Sequence, residues 1–211
     1  MTTALLSVAD VRLIEQHVKK IIQAKTTSKD NHIISTVKEL AVSELREKLK
    51  NADETILTAV ENISDQMDAD LFLSSLKAYT IPFKAISEAG LQKLYRKEKK
   101  LKLPKLNELD WYSISYLSWI DAGTHRQYIV LENDGQYTAL RGVADFQKHI
   151  KGVCAICNHH SDVHLFTATV KGNVDAYTSY SNYICKDIKK CNVNLSDYNR
   201  LESFVARNLV K

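Results

Sequence analysis

Glycine, proline, cysteine and aromatic residues are missing from the first part of this 211-residue chain. Residues 1–71 contain no glycine, no proline and no aromatic residue, and no cysteine occurs before residue 154. Because glycine and proline mark turns, their absence predicts uninterrupted helices in the first part of the chain. Five of the six glycines follow residue 120, which predicts a second part rich in hairpin turns.

Long apolar runs and a large net charge are also missing. No apolar run approaches the length that crosses a bilayer, and residues 1–7 lack the basic lead and apolar core of an export signal. We therefore expect a cytoplasmic protein that does not span a membrane, in a compartment where thiols stay reduced. The formal net charge is only +4, so composition alone does not indicate a nucleic-acid-binding protein.

Four segments of the first part carry apolar residues at helical spacing, and we expect each to turn one face towards a common core. Ser7 and Asp10 form a capping-box pattern before the first segment, the second begins near Asp30, and the fourth ends before Pro82. Short connections favour antiparallel neighbours, so residues 1–86 are predicted to form an antiparallel helical bundle. The expected core residues are Val11, Ile14, Val18, Ile21, Ile22, Ile33, Ile34, Val37, Leu40, Ala41, Leu45, Leu49, Ile56, Leu57, Val60, Ile63, Phe72, Leu73 and Leu76.

A basic stretch follows the predicted bundle, with Glu98 as its one acidic residue. Its cations are Lys93, Arg96, Lys97, Lys99, Lys100, Lys102 and Lys105. We expect a connector helix that ends at Pro104 and opens a second domain over residues 87–211. The stretch either lies along RNA phosphates, since clustered cations displace counterions, or is a solvated helix face with Leu91, Leu94 and Tyr95 packed underneath.

All four cysteines lie in the last third of the chain, as two close pairs. Two residues separate Cys154 from Cys157, and five separate Cys185 from Cys191. Two such pairs with a hairpin-length stretch between them are typical of a tetrahedral site, so we predict that these thiols bind one structural Zn²⁺. Two disulfides are the alternative, which a reducing compartment disfavours. Three histidines offer further ligands but are expected at the surface or beside the ligands: His159, His160 and His164.

Turn residues divide much of the second part into two predicted hairpins. The predicted strands are residues 128–131, 137–140, 163–170 and 175–184. An Asp-Gly turn at residues 134–135 joins the first two strands. Lys171, Gly172 and Asn173 join the other two, and this second hairpin lies between the cysteine pairs.

After the last cysteine, Ser196 is the expected N-cap of a final helix. One face of that helix carries Leu201, Phe204, Val205 and Leu209. The bulky aromatic residues expected in the core of the second part are Trp111, Tyr112, Tyr116 and Trp119. A Cys-x2-Cys turn, a hairpin and two further ligands leading to a helix follow the order of parts in a treble-clef zinc finger. The predicted fold class is therefore α+β, with an antiparallel helical bundle followed by a treble-clef-like zinc-binding α+β domain.

Catalytic motifs are not found. The chain has no glycine-rich phosphate loop, no Gly-x-Ser-x-Gly and no His-Glu-x-x-His. A zinc deaminase would need a proline directly before its second cysteine pair, and neither proline precedes a cysteine. A catalytic zinc also keeps one position open for water, whereas four thiolates close the coordination shell. We therefore expect a binding protein rather than an enzyme.

The two cysteine motifs resemble those of a known family. The residues that carry the resemblance are Val153-Cys154-Ala155-Ile156-Cys157-Asn158 and Tyr183-Ile184-Cys185-Lys186-Asp187-x3-Cys191-Asn192. Together with the chain length and the domain order, they resemble the FusB-type fusidic acid resistance proteins, also called elongation factor G-binding proteins. The resemblance implies a monomeric protein that binds elongation factor G and promotes its release from ribosomes on which fusidic acid has locked it.

The resemblance also implies roles for particular residues. The zinc domain is expected to make most of the contact with elongation factor G, and the four cysteines match the zinc-ligand positions of the family. The implied contact residues are Ile156, Lys186, Lys189 and Phe204. Each has another interpretation, because Ile156 and Phe204 suit a core and the two lysines suit a solvated surface. The alternative function is a zinc-finger protein that binds RNA or the ribosome through Lys93 to Lys105.

Overall fold

A computed structural model describes residues 6–49, 53–171 and 177–209. It divides into two compact units, Met1–Ile81 and Pro82–Lys211. The first unit is helical and the second is built on an antiparallel sheet, so the α+β class is confirmed. The two units are described separately below.

Where the structure describes it, over residues 6–49 and 53–81, the first unit consists of four helices and one short pair of strands. The helices are α1 (Val8–Thr27), α2 (Asn31–Lys48), α3 (Glu54–Asn62) and α4 (Gln66–Ser75). A single 3₁₀ turn, Leu76–Tyr79, follows α4. The strands β1 (Leu6–Ser7) and β2 (Thr80–Ile81) pair in parallel, which joins the two ends of the unit.

Side-chain caps define where these helices begin. The Ser7 hydroxyl accepts from the Asp10 amide at 3.1 Å, and the Asp10 carboxylate accepts from the Ser7 amide at 2.8 Å, so the predicted capping box is confirmed. Aspartates start the next three helices by accepting from amides of their first turns: Asp30, Asp53 and Asp65. Each cap satisfies an amide that has no partner inside the helix. The unit can therefore start its helices without glycine or proline.

The core of the helical unit is mostly the predicted one. Its buried members are Leu6, Leu13, Ile14, Val18, Ile21, Ala41, Val42, Leu45, Leu49, Ile56, Leu57, Val60, Ile63, Ala69 and Leu76. The prediction was wrong for Ile33 and Leu40, which are 49% and 65% exposed. At about 100° per residue, Leu40 lies about 200° around α2 from the buried Val42 and therefore faces solvent.

The second unit is organised around five antiparallel strands. They are β3 (Leu117–Asp121), β4 (Arg126–Asn133), β5 (Gln136–Val153), β6 (His160–Lys171) and β7 (Tyr177–Cys185). Each strand pairs with the next, in the order β3-β4-β5-β6-β7. Both predicted hairpins are present, but they are parts of one continuous sheet, because β5 runs on to Val153 and pairs with both neighbours.

One of the two predicted hairpin turns lies entirely within the described residues. Asp134 and Gly135 have φ values of 51° and 80°, the left-handed pair that a two-residue turn between twisted strands requires. The predicted Asp-Gly turn is therefore confirmed. Of the second predicted turn, Gly172 and Asn173 lie outside the described residues. Between Asp145 and Ile150 the pairing of β5 with β6 shifts register, which separates the two halves of this long strand.

The predicted connector helix over the basic stretch is wrong. Helix α5 spans Glu88–Leu94 and ends before most of the cations. The Tyr95 hydroxyl donates to the carbonyl oxygens of Ile129 and Leu140 at 3.0 and 3.1 Å, so this side chain is held against the sheet. Three residues later, Glu98 is 7% exposed and is paired with two arginines of the sheet. These contacts hold the chain after Leu94 in turns and extended backbone.

Two short helices complete the second unit, α6 (Ile188–Asn194) and α7 (Tyr198–Asn208). Helix α6 was not predicted. The N-cap of α7 is Asp197, whose carboxylate accepts from the Asn199 amide at 3.1 Å, rather than the predicted Ser196. Leu209 lies after the end of α7 and is 37% exposed, so its predicted place in the core is also wrong.

The sheet and helices of the second unit enclose two apolar clusters. The first contains the four cysteines with Tyr116, Ile129, Leu131, Leu140, Ile156, Val163, Phe166, Ala168, Ile184, Leu195, Leu201, Phe204 and Val205. The second contains Phe83, Ile86, Leu91, Tyr95, Leu117, Trp119, Tyr128 and Val130. Of the four aromatic residues predicted for the core, Tyr116 and Trp119 are buried, Trp111 packs at the margin, and Tyr112 is 42% exposed.

The cap of α7 can be tested by substitution. We expect Asp197→Ala to lower the free energy of unfolding by about 1 kcal/mol, because an amide of the first helical turn loses its acceptor. Asp197→Asn should retain most of that stability, since an asparagine amide oxygen caps equally well. Ser196→Ala is the matched control and should cost less than half as much. Urea denaturation measures all three, and a larger loss for Ser196→Ala would contradict the assignment of the cap.

Candidate metal centre

The four cysteine sulfurs converge in the interior of the second unit. All four side chains are buried, and their sulfurs lie within 4.8 Å of one another. The Sγ atoms of Cys154 and Cys191 are 3.7 Å apart, as are those of Cys157 and Cys185. Disulfide sulfurs lie about 2.05 Å apart, so the thiols are free. A tetrahedral zinc ion with bonds of about 2.3 Å spaces its sulfurs about 3.8 Å apart, which fits these separations.

A tight turn places the first two cysteines. The Cys154 amide donates to the His159 carbonyl at 3.0 Å, and the Asn158 amide donates back to the Cys154 carbonyl at 2.9 Å. Asn158 has a φ of 59°, a left-handed conformation that asparagine tolerates better than most residues. The turn, residues 154–159, therefore points both sulfurs to one side. We call it the knuckle.

The third cysteine ends β7 and the fourth lies on α6. Asp187 caps α6 by accepting from the Lys190 amide at 3.0 Å, so the helix starts at Ile188, three residues before Cys191. The neighbouring Asn192 is buried, and its amide oxygen accepts from the Ser115 amide at 2.8 Å. Its amide nitrogen donates to the Tyr116 carbonyl at 3.3 Å, so α6 is tied to the chain that enters β3. Neither α6 nor the hydrogen bonds of Asn192 were predicted from the sequence.

The electrostatics of the cluster favour a bound cation. Hydrogen bonds from Cys157 and then from the other thiols hold the pKa of Cys154 below its usual range. The same network raises the pKa of Cys185 and of Cys191. Buried thiols this close cannot all ionise together, because each thiolate opposes the next. A divalent cation removes that conflict, since it binds the thiolate form of every ligand.

A main-chain hydrogen bond supports one of the sulfurs, and a buried tyrosine lies beside another. The Cys185 amide donates to the Cys154 sulfur at 3.3 Å, an interaction that stabilises a thiolate. Tyr116 packs against the cluster, and its pKa is raised well above the usual value by burial and then by Cys191. The phenol therefore stays neutral beside the metal centre. The donor set suits a structural zinc with all four positions filled by sulfur.

The three histidines do not join the sulfur cluster within the described residues. His159 is half-buried and bonds through Nδ1 to the Cys157 carbonyl at 2.9 Å, while His160 is exposed. Of the two positions expected for His164, at the surface or beside the ligands, the surface is excluded, because its side chain is fully buried. Its Nε2 lies 2.7 Å from the amide oxygen of Gln127, and burial, followed by the charge of Lys186, lowers its pKa to about 4. His164 is thus a neutral core residue.

Two of the four predicted partner contacts are buried. Ile156 is 1% exposed and Phe204 is fully buried, and both belong to the apolar cluster that surrounds the sulfurs. Phe204 packs on Phe166 with ring centroids 5.9 Å apart. Direct contact of these two side chains with a partner is therefore contradicted, because neither reaches the surface. Lys186 is partly exposed and Lys189 is exposed, so both reach solvent beside the centre.

Fold and site together define a class: an α+β protein whose second unit is a treble-clef domain with one structural zinc. A family model described as "Elongation factor G-binding protein, N-terminal" matches residues 5–84. A second, "FBP C-terminal treble-clef zinc-finger", matches residues 89–207. The chain therefore belongs to the FusB-type fusidic acid resistance proteins, the elongation factor G-binding family.

A solved structure is similar over nearly the whole chain. The fusidic acid resistance protein FusC shares 33% sequence identity, with a TM-score of 0.81. The match covers 96% of this chain and 97% of that one. No curated protein sequence matches significantly. Among the helices of the described residues, none has both the length and the apolar character to span a bilayer.

Loss of one sulfur should disrupt the centre. We expect native mass spectrometry to find one zinc ion per chain and Cys191→Ser to lose most of it, because a hydroxyl is a poor replacement for a thiolate. Zinc removal by a chelator should likewise abolish the cooperative melting of this domain. Ala155→Ser introduces the same side chain between two ligands and is the matched control. Full zinc content in Cys191→Ser would contradict a site that requires all four sulfurs.

Proposed function

We propose that this protein confers fusidic acid resistance by target protection. It binds elongation factor G and promotes the release of that factor from drug-stalled ribosomes, and it modifies neither the drug nor its target. The membership of the chain in the elongation factor G-binding family carries this proposal. The similarity to FusC over both units supports it. Such a protein acts in the cytoplasm, where translation occurs and thiols stay reduced.

In this proposal, zinc has a mechanical role. Cys154, Cys157, Cys185 and Cys191 are the proposed ligands, and a shell of four thiolates leaves no position for a substrate or an activated water. The ion would join the knuckle, the end of β7 and helix α6, three segments that are separate in sequence. A joined surface loses little conformational entropy on binding, which favours affinity. We therefore assign the zinc to preorganisation of a docking surface and not to chemistry.

Release imposes a condition on how the protein binds. A binding protein shifts a conformational equilibrium only by the difference between its affinities for the two states. Equal affinity for ribosome-locked and departing elongation factor G would change nothing, however tight the complex. We infer that the zinc domain binds better to the conformation of the factor that has fewer ribosome contacts.

The contact surface is proposed to include Lys186 and Lys189. Lys186 follows Cys185 directly, and Lys189 lies in the first turn of α6. Because Cys185 is a proposed zinc ligand, zinc binding would also fix the positions of the two lysines. Ile156 and Phe204 contribute to binding indirectly, because they fill the apolar core that supports this surface. The same segment carries the exposed Lys190, which adds to its positive charge. An acidic surface on the factor is the expected complement.

The release activity can be measured directly. We expect the wild-type protein to accelerate dissociation of labelled elongation factor G from ribosomes stalled with fusidic acid. Lys189→Glu should weaken binding to the factor about tenfold, because it reverses a charge at the proposed surface. Lys29→Glu, an exposed change in the helical unit, is the control. Tight binding with unchanged dissociation rates would refute target protection while leaving the binding function intact.

Direct contact with RNA is a second candidate, favoured by one observation. All seven cations between Lys93 and Lys105 are exposed, although the predicted helix is absent. Two of them are engaged: Lys102 pairs with Asp121 at 3.2 Å and Lys105 with Glu108 at 2.8 Å. These pairs reduce the charge available to phosphates. RNA is therefore the weaker candidate.

Salt dependence separates the two candidates. If three phosphates are contacted, affinity for a naked ribosomal RNA fragment should fall roughly 20- to 40-fold between 50 and 200 mM salt. Replacing Lys97, Lys99 and Lys100 with glutamate should then abolish RNA retention. The same triple variant should leave the affinity for elongation factor G unchanged if the zinc domain makes that contact. No RNA retention by the wild-type protein removes this second candidate.

A further inference from the structure

The last strand of the sheet, β7, is an edge strand, and within the described residues only its end at Tyr183 and Cys185 is covered on the outer side, by the knuckle. Its nine residues include no charged residue, no proline and no glycine. Its register with β6 is continuous from end to end, with no bulge to twist the edge away. Natural edge strands usually carry at least one such device, because exposed main-chain groups pair with any extended segment.

The opposite edge of the sheet, β3, is protected. It has only five residues and ends at the charged Asp121. The indole of Trp119 donates to the Lys102 carbonyl at 2.8 Å, so a neighbouring segment lies against the strand. Just before β3, the Ser115 amide already donates to Asn192. The lack of protection is therefore particular to β7.

Two hydrogen bonds show which β7 main-chain groups point away from β6. The Ala155 amide of the knuckle donates to the Tyr183 carbonyl at 2.8 Å. The Cys185 amide donates to the Cys154 sulfur. Both bonds leave the strand on its outer side, and outward groups recur at every second residue of an antiparallel strand. The N–H and C=O of Ser179 and Ser181 therefore point outward as well, and within the described part of the chain no hydrogen bond to them is seen there.

Side chains near this edge suit a peptide ligand. Ser179 and Ser181 are exposed, and Tyr180 and Tyr183 are 36% and 44% exposed. Small hydroxyl side chains leave the main chain accessible, and the two tyrosines offer apolar contact on either face of the sheet. Lys189 and Lys190 are exposed on α6, which follows β7 in the chain, so an uncharged edge strand leads into a cationic segment.

We propose that β7 is a docking edge to which an extended segment of elongation factor G adds as a sixth strand. Main-chain hydrogen bonds to Ser179 and Ser181 hold this segment, and its acidic end lies beside Lys189 and Lys190. The inference rests on the function proposed above. A second copy of this chain is a poorer occupant, because its own β7 has no carboxylate to pair with the two lysines.

Proline at one outward position tests main-chain pairing. Ser181→Pro removes an outward N–H, and an edge strand tolerates proline because that N–H makes no bond to β6. Ser181→Ala keeps the N–H and loses only the 2.8 Å side-chain bond to Thr167, so it is the matched control. We expect Ser181→Pro to bind purified elongation factor G at least tenfold more weakly and Ser181→Ala to bind within twofold of wild type. Zinc content and melting temperature report whether each variant is folded.

Residue-resolved amide hydrogen exchange on the wild-type protein gives a second measurement that does not depend on a variant. Elongation factor G should slow exchange at Ser179 and Ser181 at least tenfold, while Tyr180 and Asn182, which face β6, are protected already. Side-chain docking alone would not produce this alternation, and its absence would overturn the proposal. Equal affinity of a folded Ser181→Pro variant would do the same.

The remaining outcomes separate this inference from the function on which it rests. If the wild-type protein does not bind elongation factor G at all, the proposed function fails and the docking edge fails with it. If binding is intact in Ser181→Pro while a concentration-dependent dimer seen by analytical ultracentrifugation is lost, the edge pairs copies of this chain. That result would overturn the proposed occupant and leave the proposed function standing.

Discussion

The convergence of four buried sulfurs is the interaction on which the second unit depends. The ligands come from the knuckle, from the end of β7 and from α6, and the apolar cluster of that unit closes around them. Four thiolates cannot remain together in a low-dielectric interior without a counter-charge. A single zinc ion provides it, and ion and fold therefore stabilise each other. This coupling explains how the sheet and the short helices α6 and α7 can present a defined surface.

An ion-pair cluster around one buried carboxylate has a comparable role in the other half of the second unit. Glu98 is nearly buried and is shared by Arg126 and Arg141, while Tyr95 bonds two carbonyls of the sheet. These contacts end α5 and spread the basic stretch along the unit as exposed turns. Such a stretch keeps its charge accessible, but it does not align its cations along one helix face. The molecule therefore supports protein contact through the zinc domain better than phosphate tracking through the basic stretch.

Buried and solvent-exposed side chains are close neighbours around the metal centre. Ile156 lies between two ligands and Phe204 lies on α7, yet both are buried. Lys186 and Lys189 follow the third ligand and reach solvent. A substitution at the buried pair would thus act through the shape of the surface, while a substitution at the lysines would act through its charge. The domain thus combines a buried apolar core with an exposed cationic segment directly beside it.

Much of the fold could be predicted because it depends on neighbours in sequence. The capping box at Ser7, the Asp-Gly turn and the two cysteine pairs are local patterns, and the structure contains all three. The prediction was wrong where the buried face of a helix was taken to be too wide, as at Leu40. It was also wrong where two adjacent residues could both cap a helix, as at Ser196 and Asp197. In each of these cases the local signal was correct, and packing selected between near-equivalent positions.

The sequence by itself determined the zinc donor set, the α+β class with helices first and hairpins second, and the resemblance that led to a family. Only the tertiary structure decided that α5 ends at Leu94, that Ile156 and Phe204 are buried, and that β7 is an open edge. The physical reason is the range of the contacts involved. Tyr95 bonds to carbonyls 34 and 45 residues away, and no local pattern around Tyr95 encodes partners at that distance.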